Sequence, residues 1–141
     1  MKINIKKLYE NSKVPTFAHS SDAGMDLYTP NRIEIGPMQR VRIGTGIAFE
    51  IPDGYVGLIW DKSGVSYRQG LKLLGGVVDS GYRGEVLIGV INLSTETIVF
   101  EAGEKVAQML IQKVERPEFI AVDELTDTER GTGAFGSTGT K

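Results

Sequence analysis

Apolar and polar residues alternate with a period of two over much of this chain, which is the pattern of half-buried β-strands. Val41 and Ile43 alternate with two arginines, and residues 47–51 carry a second run of this kind. Residues 86–93 are almost all apolar and rich in β-branched side chains. Turn sequences rich in Gly, Pro and Asn separate the runs, so the spacing predicts an all-β sandwich or barrel.

The segment 106–114 fits two different elements. Ala107, Leu110, Ile111 and Val114 fall at helical spacing, but the same run also fits a buried strand. Periodicity alone leaves both interpretations open.

One short helix is predicted after residue 62. Ser63 is a suitable N-cap, residues 66–69 can form the body, and Gly70 can end it. The last segment, Thr126 to Lys141, is rich in Gly, Thr and Ser, and its composition alone is that of a disordered terminus.

Composition excludes several classes of protein. A length of 141 residues favours one domain, and the lack of cysteine excludes disulfides and thiolate metal sites. The single histidine, His19, lies in a Ser-rich loop and is expected to be solvated. Neither a signal-peptide run nor a membrane-length apolar run is present, so we expect a soluble, cytoplasmic protein with no membrane partner. The net charge is −2 without a basic block, so we expect no nucleic-acid partner.

Five short segments have residue types that could carry chemistry. In chain order they are Ala23-Gly24-Met25-Asp26-Leu27, Asp61-Lys62-Ser63-Gly64, Gly75 to Gly84, Gly103 to Gln108 and Arg130 to Gly139. Taken singly, each has an ordinary structural interpretation: an Asx turn, a helix N-cap, a decorated hairpin, a core strand and a free tail.

Each segment also has a chemical interpretation. The first can expose a carboxylate at a turn, and the second offers a lysine and backbone N–H groups to an anion. The third delivers a carboxylate and an aromatic ring to a hairpin end. The fourth places a glutamine in an apolar strand, where it must find a hydrogen-bond partner if buried. The fifth could clamp a nucleotide with an arginine for phosphate and a phenylalanine for a base.

In this order, the five segments resemble the five motifs of the trimeric dUTPase family, and the resemblance extends from about Tyr9 to Gly139. It implies an all-β, jelly-roll-like antiparallel barrel with one short helix, and it makes 106–114 a strand. It also implies a homotrimer whose active sites are shared between subunits. The chain then divides into a barrel domain, 1–125, and a flexible arm, 126–141, that closes an active site.

The activity implied by the resemblance is hydrolysis of dUTP to dUMP and pyrophosphate with Mg²⁺, which keeps uracil out of DNA and supplies dUMP for thymidylate synthesis. Asp79 would accept the proton of the attacking water, and Gln108 would help hold that water. Asp26 would lie near the Mg²⁺ and act through metal-bound waters. The remaining expected substrate-binding residues are Lys62, Ser63, Gly64, Leu73, Gly76, Val78, Tyr82, Arg130, Phe135, Gly136, Ser137 and Thr138.

Two departures from the family pattern concern charge. The second motif usually reads Pro-Arg-Ser-Gly, whereas here Asp61 and Lys62 replace its first two residues. Lysine keeps the charge of arginine but loses its bidentate fork. The fourth motif usually has arginine where Lys105 stands. In the uracil-binding hairpin, Leu73 occupies about the position at which some members have asparagine, so backbone groups must contribute more.

Two rival functions remain open from the sequence. A dCTP deaminase, a relative of similar fold, needs a catalytic glutamate on the strand after the third motif, but residues 87–90 contain no acid. The other rival is a binding module without catalysis. It is disfavoured because all five motifs keep their chemical groups.

Overall fold

A computed structural model describes residues 1–134 of the chain, and the elements within that range are eleven strands and one helix. The strands are β1 (Asn4–Lys7), β2 (Met25–Tyr28), β3 (Ile33–Ile35), β4 (Arg40–Gly44), β5 (Ile47–Glu50), β6 (Tyr55–Asp61), β7 (Leu71–Leu73), β8 (Val77–Val78), β9 (Leu87–Asn92), β10 (Ile98–Phe100) and β11 (Lys105–Lys113). The helix is α1 (Ser63–Gln69).

Strand pairing is antiparallel throughout and nested along the chain. β2 pairs with β11, β3 with β10 and β4 with β9, so successive early strands meet successive late strands in reverse order. The full sheets are β1-β5, β10-β3, β2-β11-β6-β8 and β4-β9-β7. A long hairpin folded over on itself in this way is the arrangement of a jelly roll. The predicted all-β class is therefore confirmed, although the pairings form four sheets and not one closed barrel.

The ambiguous segment is a strand, β11, as the family resemblance implied. It lies in the middle of the largest sheet, between β2 and β6, so its backbone is paired on both edges. Ala107 and Met109 are fully buried, and Gln108 between them is only half-buried. Tertiary pairing decides the element here, because the apolar spacing fits either structure.

All four sheets contribute to one hydrophobic core. Leu27, Ile35, Phe49 and Ile88 represent the four sheets in it, and each is at most 4% exposed. In the described residues the one helix has seven residues, and no helix there is long and apolar enough to cross a membrane.

The short helix occurs where the sequence predicts it, but its N-cap was wrongly predicted. Lys62, not Ser63, is the N-cap, with extended backbone angles of φ −84° and ψ 119°. Lysine has no acceptor atom, so the N-cap side chain leaves the first N–H groups of the helix without a capping bond in the part of the chain that the structure describes. Gly70 ends the helix in the left-handed conformation, as predicted.

Candidate active site

A buried carboxylate bound by two lysines lies in the wall of an open polar cleft. β2 is buried along its whole length, and Asp26 within it is only 3% exposed. Its Oδ1 accepts a hydrogen bond from Lys62 Nζ at 2.6 Å. Its Oδ2 lies 2.6 Å from Lys105 Nζ as an ion pair, with no other polar partner among residues 1–134. The first, second and fourth motifs therefore meet at this residue.

The two lysines control the ionisation of Asp26. Burial raises the pKa of this carboxyl, but the hydrogen bonds and charges of Lys105 and Lys62 outweigh burial and lower the pKa below its usual value of 3.8. The same contact with Asp26 raises the pKa of Lys105. Asp26 is thus a fixed negative charge at neutral pH.

Gln108 is placed beside Asp26 by strand register. The two are paired across β2 and β11, and Gln108 is paired with Trp60 across β6 on the other side. Its Nε2 donates to the Asp61 carbonyl at 2.9 Å, which fixes the amide and directs Oε1 toward Gly24. A Cβ atom at Gly24 would lie 2.6 Å from that Oε1, so the glycine of the first motif leaves room for the glutamine of the fourth.

These residues line an open cleft of about 490 Å³. Asp26, Lys62 and Gln108 are in its wall, together with Asp61 and Trp60. Trp60 is 56% exposed, and its place in the cleft was missed by sequence reasoning. The available signal was the position of this tryptophan, the chain's only one, immediately before the second motif.

The third motif lies in a different cavity. Asp79 is exposed, Tyr82 is 45% exposed, and both line a pocket of about 210 Å³ with Glu85. Tyr82 donates its N–H to the Asp79 carbonyl at 3.1 Å and its hydroxyl to the Glu85 carbonyl at 2.9 Å. This pocket and the cleft have no lining residue in common, so the chain by itself does not bring Asp79 together with Gln108.

The segment before Asp79 is a link between sheets and not the uracil-binding hairpin that the resemblance implied. β7 pairs with β9, whereas β8 pairs with β6 in another sheet. Gly76 makes the crossing possible, because its φ is 131° and an added Cβ would lie 2.6 Å from the Ile59 carbonyl oxygen. Leu73 is half-buried and Val78 is buried at the two ends of the link.

The other predicted phosphate-binding residues are only partly described. Ser63 and Gly64 are exposed in the first turn of α1, directly after Lys62. Arg130 is exposed, donates through Nε to the nearby Gly133 carbonyl at 3.0 Å, and is not among the residues that line the cleft. Phe135, Gly136, Ser137 and Thr138 lie outside the described residues.

Asp61, which departs from the family pattern, has defined partners. Its Oδ1 accepts the backbone N–H of Leu73 at 2.8 Å, and its Oδ2 pairs with the Lys72 ammonium. The carboxylate therefore faces β7 and is partly neutralised by Lys72.

Comparisons with known proteins bear on the family and the fold of the chain. The dUTPase family model matches residues 10–139. A deoxyuridine 5'-triphosphate nucleotidohydrolase of Mycolicibacterium gilvum is 45% identical, over 96% of this chain and 93% of its own length. A mutant Staphylococcus bacteriophage 80alpha dUTPase with dUpNHpp superposes with a TM-score of 0.94 at 29% identity, over 99% of both chains. A mutant dUTPase from phage phi11 of S. aureus, described with a structural Mg(II) ion, gives 0.85 at 27% identity, over 90% of this chain and 100% of that one.

Proposed function

The chain belongs to the dUTPase family, and from that premise we propose that it hydrolyses dUTP to dUMP and pyrophosphate. One observation carries the proposal for this particular chain. Asp26, Lys62 and Gln108, from three separate motifs, line one open cleft, and Lys105 pairs with Asp26. The reaction removes dUTP, which keeps uracil out of DNA, and yields dUMP for thymidylate synthesis.

Asp79 is the general base of the proposed mechanism. A water molecule attacks the α-phosphorus and gives its proton to an Asp79 carboxylate oxygen, and pyrophosphate leaves. The exposure of Asp79 supports this role, because its carboxylate can be reached by water. A positioned carboxylate base contributes roughly 10²–10⁴-fold to the rate.

Gln108 holds the attacking water. One N–H of its Nε2 donates to the Asp61 carbonyl, and Oε1 is the amide atom that can accept a hydrogen bond from water. Fixing the amide in this way restricts its rotation, and an oriented water needs less reorganisation before attack.

The phosphates are bound by charge and by backbone groups. We assign Lys62, Ser63 and Gly64 to phosphate oxygens, with further contacts from Arg130, Gly136, Ser137 and Thr138 of the arm 126–141. Lys62 is shared with Asp26, so a phosphate oxygen would approach an ammonium that is already held in place. Phosphoryl transfer depends mostly on positioning and charge neutralisation, which these groups can supply.

The donor set fits a Mg²⁺ bound through water and substrate. No group of three His, Cys, Asp or Glu side chains within residues 1–134 could hold a metal ion. Asp26 is ionised, but lysines occupy both of its oxygens, so it suits hydrogen bonds to metal-bound waters better than direct ligation. Mg²⁺ usually keeps several waters, and when bound it would neutralise charge on the triphosphate.

The nucleoside is recognised by the third motif and the arm. Leu73, Gly76 and Val78 would contact uracil through backbone groups, since a close backbone wall leaves no space for the methyl group of thymine. Tyr82 would pack under the deoxyribose and exclude a 2′-hydroxyl. Phe135 would stack on the base, a contact worth about 1–3 kcal/mol in other nucleotide sites.

We propose that the active site is completed by three subunits. The separation of the Asp79 pocket from the Gln108 cleft supports this, because the proposed base and the proposed water-holding amide line different cavities of one chain. One subunit would contribute the third motif, a neighbour the cleft, and the third the arm 126–141.

Pyrophosphate release tests the proposal directly. The purified protein, incubated with Mg²⁺, should release pyrophosphate from dUTP and little from UTP or dTTP, and it should release no ammonia from dCTP. It should sediment at about three times its chain mass of 15.4 kDa. Absence of dUTP turnover would refute the activity, and full turnover by a monomer would refute the shared site.

A further inference from the structure

We propose that Asp61 is a positioning residue that sets the selectivity for uracil over thymine, by fixing the backbone of Leu73 through its carboxylate. The inference rests on the proposed function and adds a residue to it. Asp61 was noticed in the sequence only as a departure from the family pattern. Its contacts give it a place between the phosphate-binding segment and the uracil-binding segment.

The first step concerns the path of the chain. β6 ends at Asp61, α1 follows, and β7 begins at Leu71. The Asp61 carboxylate connects the two ends of this segment, because its Oδ1 accepts the N–H of Leu73 at 2.8 Å. One side chain therefore links the end of β6 to β7, directly before the proposed phosphate-binding residue Lys62.

The second step concerns the strength of the contact. A hydrogen bond from a backbone N–H to a charged acceptor is stronger than one between neutral groups. The side chain of Asp61 is 23% exposed, so water competes with Leu73 only partly. Lys72 pairs with the second carboxylate oxygen, so the negative charge is partly offset near the proposed phosphate site.

The third step concerns what lies beyond Leu73. The next residue, Leu74, donates its N–H to the Gly89 carbonyl at 2.8 Å, and the Gly76 carbonyl accepts from Ile59 at 2.7 Å. Three hydrogen bonds thus hold the segment from Leu73 to Gly76 to two strands, β6 at both ends and β9 between them, and the bond to Asp61 is the first of the three. A backbone that excludes one methyl group must keep its position to within a fraction of an ångström. Loss of the hydrogen bond from Leu73 to Asp61 would let this backbone move.

Asp61 also contacts Gln108, the residue proposed to hold the attacking water. Its backbone carbonyl accepts from Gln108 Nε2 at 2.9 Å, through an atom that no side-chain substitution removes. The substitution Asp61→Ala therefore removes the hydrogen bond from Leu73 and leaves the hydrogen bond from Gln108 in place.

The test compares kcat/KM for dUTP with kcat/KM for dTTP in four forms of the full chain. In Asp61→Ala, which removes both carboxylate contacts, the dUTP-to-dTTP ratio should fall about tenfold, as expected for loss of one charge-assisted hydrogen bond. Asp61→Asn keeps an acceptor for the Leu73 N–H and should retain the ratio to within about threefold. Glu34→Gln is the matched control. It removes the surface ion pair of Glu34, in β3, with Arg32, and it should leave the ratio unchanged.

Hydrogen exchange gives a second readout that does not depend on turnover. The Leu73 amide should exchange faster in Asp61→Ala than in the parent, and Asp61→Asn should restore its protection. If Asp61→Ala does not fold, Asp61→Glu displaces the carboxylate by one methylene and should lower the same ratio.

The outcomes separate the inference from the proposed function. If the parent hydrolyses dUTP and prefers it to dTTP, but folded Asp61→Ala keeps the parental ratio, the positioning role is wrong and the activity stands. If the parent does not hydrolyse dUTP at all, the proposed function is wrong, and the inference is wrong with it. An equal loss in Asp61→Asn and Asp61→Ala would also contradict a role through the Leu73 N–H.

Discussion

The Asp26 cleft and the Asp79 pocket are built in opposite ways. Asp26 is 3% exposed and bound by Lys62, the N-cap of α1, and by Lys105 of β11, whereas Asp79 is exposed in a loop where its carbonyl accepts the N–H of Tyr82. A buried, paired charge is costly to place and is tied to folding. An exposed carboxylate can exchange protons with water at little structural cost. The comparison fits the proposed roles, in which Asp26 of the cleft is a fixed charge and Asp79 of the pocket accepts the proton of the attacking water.

The largest effect should come from the proposed base. Asp79→Asn preserves shape but removes the proton acceptor, so kcat should fall about 10²-fold or more with a modest change in KM. The melting temperature should stay close to that of the parent, because the side chain is exposed. Steady-state kinetics and thermal unfolding measure both, and Glu34→Gln is the control. Turnover within a few-fold of the parent would remove Asp79 from the base role.

Removal of Arg130 to Lys141 should have the next largest effect. The deletion takes away the arginine, the hydroxyls and Phe135 that we expect to contact dUTP, so kcat/KM should fall at least about tenfold, given the usual value of a base–aromatic stack. The core should be unaffected, since β11, the last strand among residues 1–134, ends at Lys113. Melting, sedimentation and turnover are measured together. Retained turnover, or loss of the trimer, would each contradict this role for the arm.

Substitution in the cleft should affect folding, unlike substitution in the pocket. In Asp26→Asn, Lys62 and Lys105 lose their charged partner, and the free energy of unfolding should fall by about 1–3 kcal/mol at neutral pH. Urea denaturation of this variant beside Asp79→Asn gives the comparison. If Asp26→Asn and Asp79→Asn had equal free energies of unfolding, the claim that the Asp26 ion pairs stabilise the fold would be wrong.

The smallest expected effect is the pH dependence of that stability difference. The folded state holds the Asp26 pKa below its usual 3.8, so the unfolded chain takes up this proton more readily than the folded protein. The stabilisation by Asp26 is therefore complete above 3.8 and is lost as pH falls through the lower folded value. The gap between parent and Asp26→Asn should narrow in that acidic range and stay constant around neutral pH. A gap that narrows near neutral pH would contradict the pKa direction.

Much of this protein could be predicted from its sequence, for a physical reason. Alternation with a period of two reports which side of a strand is buried, so the all-β class followed from local pattern and was confirmed. The family, too, followed from short motifs, because a nucleotide site requires particular residue types at particular spacing, and the match over residues 10–139 confirmed it. The roles of Asp79, Gln108 and the arm stay predictions.

Only the tertiary structure decided which partners these residues have. Segment 106–114 is a strand because β2 and β6 pair with its two edges. The spacing of apolar residues does not show which other segments will pair with it. Lys62 and not Ser63 occupies the N-cap position, and its ammonium reaches Asp26, a residue distant in sequence, instead of capping the helix. Asp61 had no explanation until its carboxylate was found on the Leu73 N–H. Local composition fixes the tendency of a segment, but long-range pairing fixes which atoms satisfy its charges and hydrogen bonds.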